Sequence, residues 1–340
     1  MTICTVSLRG RADRQVDSPP ARDRSREQGS LRKLRRTALR ATLDLAGTGA
    51  AQALFRLTPA EKAALALRKA PASPATPLPP WHFVFAIPLV GRDRTADWPL
   101  VERNLARTLG SLAAQAEPDW TCMLAGQDRP ALPEPLASDP RIRFLPFEAE
   151  IAGSDQMAKL SAMARAVPEI GRGRVVFVPF DADDIARRDY LEHVAPHAGT
   201  GYLLDGGLML DAASGSVADA GRRSFSEPGR RPFWKLCGSC AGLPVQTAAG
   251  TAGIEWLARS VGHRHRLFAH AFAMAGLRPA HLDAALVIYL INHGENVQPR
   301  RGQGGFKQRY VASQAIEDSP RLVQIARDFP LRGLRMRGAV

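Results

Sequence analysis

Between residues 81 and 180, short apolar segments alternate with longer segments of helical periodicity. Four of the apolar segments have the length and composition of buried strands, namely 81–90, 120–126, 141–147 and 174–180. Residues 98–115 and 154–167 instead repeat their apolar side chains at helical spacing. Because strands and helices alternate in this way, we expect an α/β fold with a doubly wound, mostly parallel sheet.

The chain is less regular after residue 200. GYLLDGGLMLD (201–211) predicts a strand or a hairpin that turns at Gly206 and Gly207. A histidine-containing helix is expected near residues 262–275, and the proline-rich segment 71–80 predicts a linker. We therefore expect a partly disordered N-terminal tail that ends in this linker, two halves of a core and a C-terminal tail, with the bounds 1–80, 81–200, 201–320 and 321–340.

The formal net charge of +13 is concentrated in the two tails. Residues 1–80 contain 15 Lys and Arg against 6 Asp and Glu, and residues 321–340 contain 5 against 1. Residues 81–320 contain 26 of each sign and are therefore neutral. Since the basic residues are not interleaved with aromatic ones, we expect no nucleic-acid partner.

The N-terminal tail contains a predicted basic amphipathic helix. Leu31, Leu34, Leu39 and Leu43 recur near helical spacing among arginines. Such a helix can lie on an anionic membrane surface or pack on the rest of the protein, and the sequence favours neither. The apolar part of MTICTVSLRGR is too short for a secretory signal, and no apolar run approaches the ~20 residues of a membrane span. We expect a cytoplasmic protein, with this helix as the candidate contact to the inner face of the membrane.

The four cysteines do not have the density of a disulfide scaffold. Cys237 and Cys240 have C-x-x-C spacing, but no second pair or paired histidines at zinc-finger spacing accompany them. We expect reduced thiols in a tight Gly-Ser turn.

Three aspartates, Asp181, Asp183 and Asp184, directly follow the fourth predicted strand; we call them the acidic cluster. Ligands of doubly wound sheets bind beyond the carboxyl ends of the strands. A divalent cation would offset the repulsion between the carboxylates, whose oxygens favour Mg²⁺ or Mn²⁺. Since Mg²⁺ usually completes its shell with phosphate oxygens and water, the cluster predicts a phosphate-bearing ligand. The alternative is a solvated acidic turn in which Asp184 caps the next helix.

Several segments resemble family 2-like glycosyltransferases of the GT-A fold. They are FVFAIPLVGRD, LVERNLARTLGSLAAQ, DWTCMLAGQD and VVFVPFDADDIARRDYL, the last of which carries an Asp-x-Asp motif. CGSCAGLP, GHRHRLFAHAFAMAGLRP and VIYLINHGEN resemble a bacterial branch described as rhamnosyltransferases, so that the resemblance covers residues 81–300.

The resemblance implies an inverting hexosyltransferase that depends on Mn²⁺ or Mg²⁺. Its donor would be a nucleotide-diphosphate sugar, bound by residues 81–200. Its acceptor would be a glycan of the bacterial cell surface or capsule, or a lipid-linked sugar, bound by residues 201–320.

The resemblance also implies roles for residues on the donor side. Asp181 and Asp183 would hold the ribose and the metal, with the third aspartate close by. Asp128 stands where family members often contact the base, and Lys159 where they commonly have a cation that faces the diphosphate. Lys159 is equally well placed for an i,i+4 salt bridge with Asp155. The loop after the first strand would line the nucleotide pocket with Pro88, Gly91 and Arg92.

The residue that deprotonates the acceptor hydroxyl is less clearly marked. Family members usually take it from a Glu-Asp pair before the last core helix, and this sequence has no such pair. GHRHR stands there instead, so His263 and His265 are base candidates, followed by Glu255 and Asp205. Exposed or helix-capping histidines explain the same residues.

Three further residues are candidates for the acceptor side, Trp234, His293 and Asn296. Trp234 could stack on a sugar ring or belong to the core. A helix that ends at the glycine of NHGEN explains the other two equally well.

Other classes of protein fit parts of the sequence. VVFVPFDADDI approaches the motif of haloacid-dehalogenase phosphatases, whose first aspartate is a nucleophile, but three predicted strands precede it where that motif normally has none. A sugar nucleotidyltransferase would have a glycine-rich loop after the first strand, and LVGRDRTADW has one glycine. A non-catalytic carbohydrate-binding protein of the same fold is consistent with the missing Glu-Asp pair.

Overall fold

The computed structural model describes residues 21–70, 79–247, 250–295 and 304–338. The chain divides into two compact units, Met1–Arg56 and Leu57–Val340. In the first unit, helix α1 (Ala21–Leu54) includes the predicted basic helix and is interrupted at Gly47, whose φ of 79° is left-handed. The first 20 residues of the predicted tail and residues 71–78 of the predicted linker lie outside the described part of the chain.

The elements of the second unit follow in chain order. The helices are α2 (Pro59–Lys69), α3 (Trp98–Ala113), α4 (Gln156–Ala166), α5 (Tyr190–Val194), α6 (Thr251–Val261), α7 (Phe268–Ala275), α8 (Gly304–Ser313) and α9 (Ser319–Asp328). The strands are β1 (His82–Pro88), β2 (Trp120–Gly126), β3 (Ile142–Pro146), β4 (Arg174–Pro179), β5 (Ile185–Ala186), β6 (Tyr202–Leu204), β7 (Gly207–Asp211), β8 (Val217–Ala220), β9 (Ala241–Gln246), β10 (Ala280–Leu282) and β11 (Val287–Ile291).

A seven-stranded sheet with the order β10-β6-β9-β4-β1-β2-β3 forms the centre of the second unit. β1 pairs in parallel with β2 and β4, β2 with β3, and β6 with β10, whereas β9 runs antiparallel to β4 and β6. The predicted α/β class is confirmed: helices alternate with the strands of a mostly parallel central sheet. The four strands predicted before residue 181 all lie within two residues of their predicted bounds.

Aromatic side chains fill the core beside β1 and β4. The ring of Phe85 contacts Trp120, Phe180 and Tyr190, with centroid distances of 6.1, 5.7 and 5.9 Å. The hydroxyl groups of Tyr190 and Tyr202 form a buried hydrogen bond of 2.7 Å. Because Phe180 immediately precedes the acidic cluster, this packing holds the base of the cluster in a fixed position.

A second sheet has the order β5-β11-β7-β8. β5 begins directly after Asp184 and pairs antiparallel with β11. The expectation that Asp184 caps a helix is therefore wrong, because a strand follows it. The alternative explanation of His293 as the end of a helix is also wrong, since β11 precedes that residue.

The predicted hairpin at Gly206 and Gly207 does not form, because β6 and β7 belong to different sheets. A Cβ atom at Gly207 would lie 2.1 Å from Cδ2 of Phe233, and one at Gly206 would lie 1.9 Å from the backbone oxygen of Asp283. The two glycines therefore let the chain pass between the sheets in close contact with its neighbours. A glycine pair has the same appearance in sequence whether it serves a turn or a close approach.

The last helix packs on the second sheet. Leu322, Ile325 and Phe329 on and beside α9 are buried together with Leu208 and Leu290 of the sheet. Residues 321–340, which were predicted to be a basic tail, therefore contribute an apolar helix face to a hydrophobic cluster.

Candidate functional site

The acidic cluster lies between β4 and β5, at the edge of the large sheet where β1, β2 and β4 end. These strands are parallel neighbours, so their carboxyl ends meet there. We call this the carboxyl edge. The three carboxylates of the cluster have different surroundings, which decide what each can do.

Asp184 is held inside the protein and is 0% exposed. Its Oδ2 accepts hydrogen bonds from Ser239 Oγ at 2.5 Å and Cys237 Sγ at 3.0 Å, and its Oδ1 accepts one from the backbone N–H of Leu290 at 3.4 Å. Burial, together with the charges of Asp181 and Asp183, raises the pKa of this carboxyl well above its ordinary value. Asp184 therefore connects three segments: the end of β4, the CGSC turn (residues 237–240) and β11.

Asp181 is partly exposed and makes fewer bonds. Its Oδ1 accepts from Nε2 of Gln156 at 2.9 Å, and its backbone N–H donates to Ser239 Oγ at 2.8 Å. Desolvation, followed by the charge of Asp183, raises the pKa of Asp181 to about 7. A Cβ atom at Gly238 would lie 2.9 Å from Asp181 Oδ2, so the glycine lets the CGSC turn approach the carboxylate.

Asp183 faces His293. Asp183 Oδ2 lies 2.6 Å from His293 Nε2, and His293 Nδ1 lies 3.0 Å from Nδ2 of Asn104 on α3. Arg107 donates to Asn104 Oδ1, which orients the amide so that its N–H₂ donates to His293 Nδ1. His293 Nε2 then carries the hydrogen that Asp183 accepts. The sequence assigned His293 to the acceptor side, and the structure instead brings it against the acidic cluster.

The cysteines of the CGSC turn are free, as expected. Both are buried, and burial raises the pKa of the Cys237 thiol well above its ordinary value, which the neighbouring charge of Asp184 reinforces. The thiol therefore keeps its proton and donates it to Asp184.

The donor atoms of the cluster can be compared with what a hard cation needs. Ligand atoms of Asp181, Asp184 and Cys237 lie within 4.8 Å of one another. Both oxygens of Asp184 already accept hydrogen bonds, and the sulfur of Cys237 is a softer ligand than Mg²⁺ or Mn²⁺ prefers. Oδ2 of Asp181 and Oδ1 of Asp183 accept no hydrogen bond from the described residues. Each of these two carboxylates therefore keeps an oxygen that could bind a further ligand such as a divalent cation.

The loops after β1 and β2 meet at the same edge. The backbone N–H of Arg92 donates to Asp128 Oδ2 at 2.8 Å, and the Arg92 guanidinium lies 5.2 Å from the centre of the Trp98 ring. Pro88 ends β1, and Gly91 precedes the short 3-10 turn that begins at Arg92. The residues assigned from sequence to the nucleotide pocket are thus close together, with Asp128 bonded to the loop.

Lys159 is buried beneath these loops. Its ammonium donates to Leu89 O at 2.5 Å and to Gln127 Oε1 at 2.8 Å, and it pairs with Asp155 at 2.9 Å. The i,i+4 salt bridge expected from the sequence is present. With a side chain that is 0% exposed, Lys159 ties together the ends of β1 and β2 and has no free surface to face a diphosphate.

Two of the candidate bases lie at the surface. Glu255 pairs with Arg259 at 2.6 Å and with Arg165 at 3.5 Å, and the side chain of His263 is exposed. Among the described residues, neither of them forms a hydrogen bond or an ion pair with the acidic cluster. The pairing of Glu255 leaves its carboxylate committed to two arginines.

His265 differs from His263. Its Nε2 is buried and has no hydrogen-bond partner among the described residues. Burial, and then the charges of Arg266 and Lys307, lower the pKa of His265 to about 4, so the imidazole is neutral at pH 7. A neutral imidazole with a free ring nitrogen can accept a proton.

Asp205 and Trp234 form a separate group in the second half of the core, residues 201–320. Buried Asp205 accepts from Trp234 Nε1 at 2.8 Å, from His281 Nδ1 at 3.0 Å and from Arg222 Nε at 2.5 Å. These bonds hold the indole of Trp234 in place while it remains partly exposed. The third acceptor-side candidate, Asn296, lies outside the described residues.

Among the described residues, none of the helices has both the length and the apolar composition that crossing a membrane requires.

Neither a protein-family model nor a curated protein matches the sequence. Solved structures with some similarity include S. aureus TarS, at 14% identity and a TM-score of 0.33, over 72% of this chain and 42% of TarS. The 1–349 form of TarS has 12% identity and a TM-score of 0.34, over 76% of this chain and 67% of that one. The structure of 4-diphosphocytidyl-2C-methyl-D-erythritol synthase has 14% identity and a TM-score of 0.33. The match covers 68% of this chain and 98% of that one. The chain thus spans less than half the length of full TarS, and scores of this size carry no information about activity.

Proposed function

We propose that the protein is a metal-dependent glycosyltransferase that moves a sugar from a nucleotide-diphosphate donor to a glycan or lipid-linked acceptor. The observation that carries this proposal is the pair Asp181 and Asp183, which stand at the carboxyl edge with one unbonded oxygen each. The raised pKa of Asp181 reflects the cost of placing two carboxylates together in a desolvated place. A bound cation removes that cost.

On the donor side, each residue has a defined task. Asp181 and Asp183 would hold Mn²⁺ or Mg²⁺, and such a cation supplies stabilisation for the charge that develops on the departing diphosphate. His293, bonded to Asp183 and Asn104, fixes the orientation of the Asp183 carboxylate. The loops after β1 and β2, which the hydrogen bond from the Arg92 N–H to Asp128 joins, would line the nucleotide pocket.

On the acceptor side, we assign the base to His265. Its free, neutral Nε2 can take the proton of an acceptor hydroxyl, and its pKa responds to the charge of Lys307, which in turn interacts with the acidic cluster. The exposed, anchored indole of Trp234 would stack on a sugar ring. From the family resemblance of the sequence we also propose inversion and a role in surface or capsular polysaccharide.

Release of nucleoside diphosphate tests this function. The purified chain is incubated with Mn²⁺ and a panel of nucleotide sugars, and slow, metal-dependent hydrolysis of at least one donor is expected. His265→Gln should spare this hydrolysis but abolish transfer to an acceptor. Cleavage of simple phosphate esters that depends on Asp181 would instead support the phosphatase alternative. Binding of a donor without turnover would support the alternative of a non-catalytic carbohydrate-binding protein.

The pH dependence of metal binding follows from Asp181. Because its pKa in the folded protein is about 7, above the ordinary 3.8, protons compete with the cation. We expect the affinity for Mn²⁺ to fall about tenfold per pH unit below about pH 7 and to level off above it. Without a cation, the folded protein binds a proton at Asp181 more tightly than the unfolded chain does. The free energy of unfolding should therefore fall as the pH rises from about 4 to about 7.

Calorimetric titration of Mn²⁺ from about pH 5.5 to about pH 8.5 measures this dependence. Asp181→Asn serves as the control, since it removes the titrating group and should bind Mn²⁺ weakly at every pH. A wild-type affinity that does not change over this range would contradict the assignment of Asp181 as a ligand.

We further propose that α1 contacts an anionic membrane surface. Leu31 and Leu34 are 65% and 66% exposed, and residues 31–43 contain five basic and no acidic side chains. The full chain should co-sediment with vesicles that contain phosphatidylserine and not with neutral vesicles. Leu31→Ser combined with Leu34→Ser should abolish the binding, and equal binding of both vesicle types by the wild type would refute the proposal.

A further inference from the structure

Lys307 on α8 carries a cation into the interior of the protein. The residue is only 8% exposed. Its ammonium contacts the hydroxyl group of Tyr289 and lies 3.9 Å from the centre of that ring. No carboxylate oxygen of a described residue lies within 4.0 Å of its Nζ. A contact with an aromatic ring and a hydroxyl offsets only part of the cost of burying a charge, so the described residues compensate the charge of Lys307 only in part.

The position of Lys307 is fixed relative to the acidic cluster through β11. Tyr289, which Lys307 contacts, is followed in β11 by Leu290, whose backbone N–H donates to Asp184 Oδ1. The three aspartates of the cluster interact electrostatically with Lys307, whose pKa burial lowers. His265, our candidate base, responds to the same ammonium. The ammonium therefore lies close enough to both the acidic cluster and the base candidate to interact with them electrostatically.

The ligand that suits this space is a diphosphate. A cation held by Asp181 and Asp183 attracts phosphate oxygens from one side, and the three donors of an ammonium can bind further phosphate oxygens from another. A diphosphate has enough oxygens and charge to serve both at once. A single carboxylate from the protein would satisfy Lys307 but could not also complete the shell of the cation.

We propose that Lys307 binds the diphosphate of the donor, so that α8 adds to a donor site whose metal-binding aspartates come from residues 81–200. This inference rests on the proposed function. It assigns to Lys307 the role that the sequence resemblance gave to Lys159, which is instead buried beneath the loops. Lys307 then stabilises the departing group beside the cation.

Binding of inorganic pyrophosphate in the presence of Mg²⁺ tests the proposal without knowledge of the sugar or the base. Lys307→Met should weaken pyrophosphate binding about tenfold to a hundredfold, the range for one bond to a charged group. Lys307→Arg should retain most of the affinity. The affinity for Mn²⁺ alone should not fall in Lys307→Met, because removal of a nearby positive charge does not disfavour a cation.

Two comparisons keep the result decisive. Lys307→Met replaces an incompletely paired buried charge by an apolar side chain of similar length, so it should fold at least as well as the wild type. Arg309→Met removes the same charge from an exposed position on the same helix and should bind pyrophosphate as the wild type does. If Lys307→Met lost affinity for Mn²⁺ as strongly as it lost affinity for pyrophosphate, Lys307 would have a structural role, and the proposal would be overturned.

The outcomes also separate this inference from the proposed function. If the wild type and Lys307→Met bind pyrophosphate equally while Asp183→Asn loses binding, the inference fails alone. If Mg²⁺ does not promote pyrophosphate binding in the wild type, the proposed function fails and the inference with it.

Discussion

Replacement of Asp183 by asparagine is expected to lower the rate of donor cleavage about 10²–10³-fold, the loss typical when one group that stabilises developing charge is removed. Asp183 offers an unbonded oxygen to a cation, and its other oxygen is already positioned by His293 at 2.6 Å. Asparagine keeps the shape and an acceptor oxygen but removes the charge. The side chain is 22% exposed, so the fold should tolerate the change.

The measurement is release of nucleoside diphosphate under saturating donor and Mn²⁺. Asp318→Asn is the matched control, because Asp318 is an exposed residue before α9 whose side chain makes no capping bond. It should retain full activity. If Asp183→Asn matches that control, Asp183 has no part in the reaction.

Asp184→Ala is expected to destabilise the fold by about 3 kcal/mol. The substitution removes the acceptor of two buried donors, the Ser239 hydroxyl and the Cys237 thiol, and one acceptor of the Leu290 N–H. Each unsatisfied buried group costs about 1–3 kcal/mol, and partial relaxation reduces the sum. The loss falls on stability because Asp184 joins β4, β11 and the CGSC turn.

Urea denaturation followed by tryptophan fluorescence measures this difference. Asp184→Asn keeps the Oδ1 acceptor and most of the volume, so its loss should be distinctly smaller than that of the alanine variant. Equal stabilities of Asp184→Ala and the wild type would show that the buried network does not hold the strand ends together.

The sequence predicted the centre of the fold because β1, β2 and β4 are buried on both faces. Such strands are continuous apolar runs whose ends are visible in sequence. The second sheet was not predicted. Its strand β5 has two residues, Ile185 and Ala186, too few for any periodicity. The Gly206–Gly207 pair predicts a turn as readily as the close passage between sheets that is found.

The acidic cluster was predicted as a group, but its internal division was not. Asp183 and Asp184 are adjacent in sequence, and the partners that distinguish them are far along the chain. Asp184 bonds Cys237 and Ser239, whereas Asp183 faces His293. Only the packing of the CGSC turn and β11 against β4 decides which carboxylate is buried, and no local pattern encodes that packing.

Lysines illustrate the same limit. Lys159 was singled out because it precedes the acidic cluster on a helix, and it is buried among the loop ends. Lys307 carries no local signal in GGFKQRY, and its importance comes from the docking of α8 beside β11.

The central claim is that Asp181 and Asp183 bind a cation whose shell is completed by a diphosphate. It is tested most directly by titrating Mn²⁺ into the protein while the paramagnetic resonance signal of the free aqueous ion is followed, with and without a nucleoside diphosphate. We expect the wild type to bind Mn²⁺, more tightly with the diphosphate present, and both Asp181→Asn and Asp183→Asn to lose most of this binding. Binding by the two variants that equals the wild type, or no binding by the wild type, would contradict the claim.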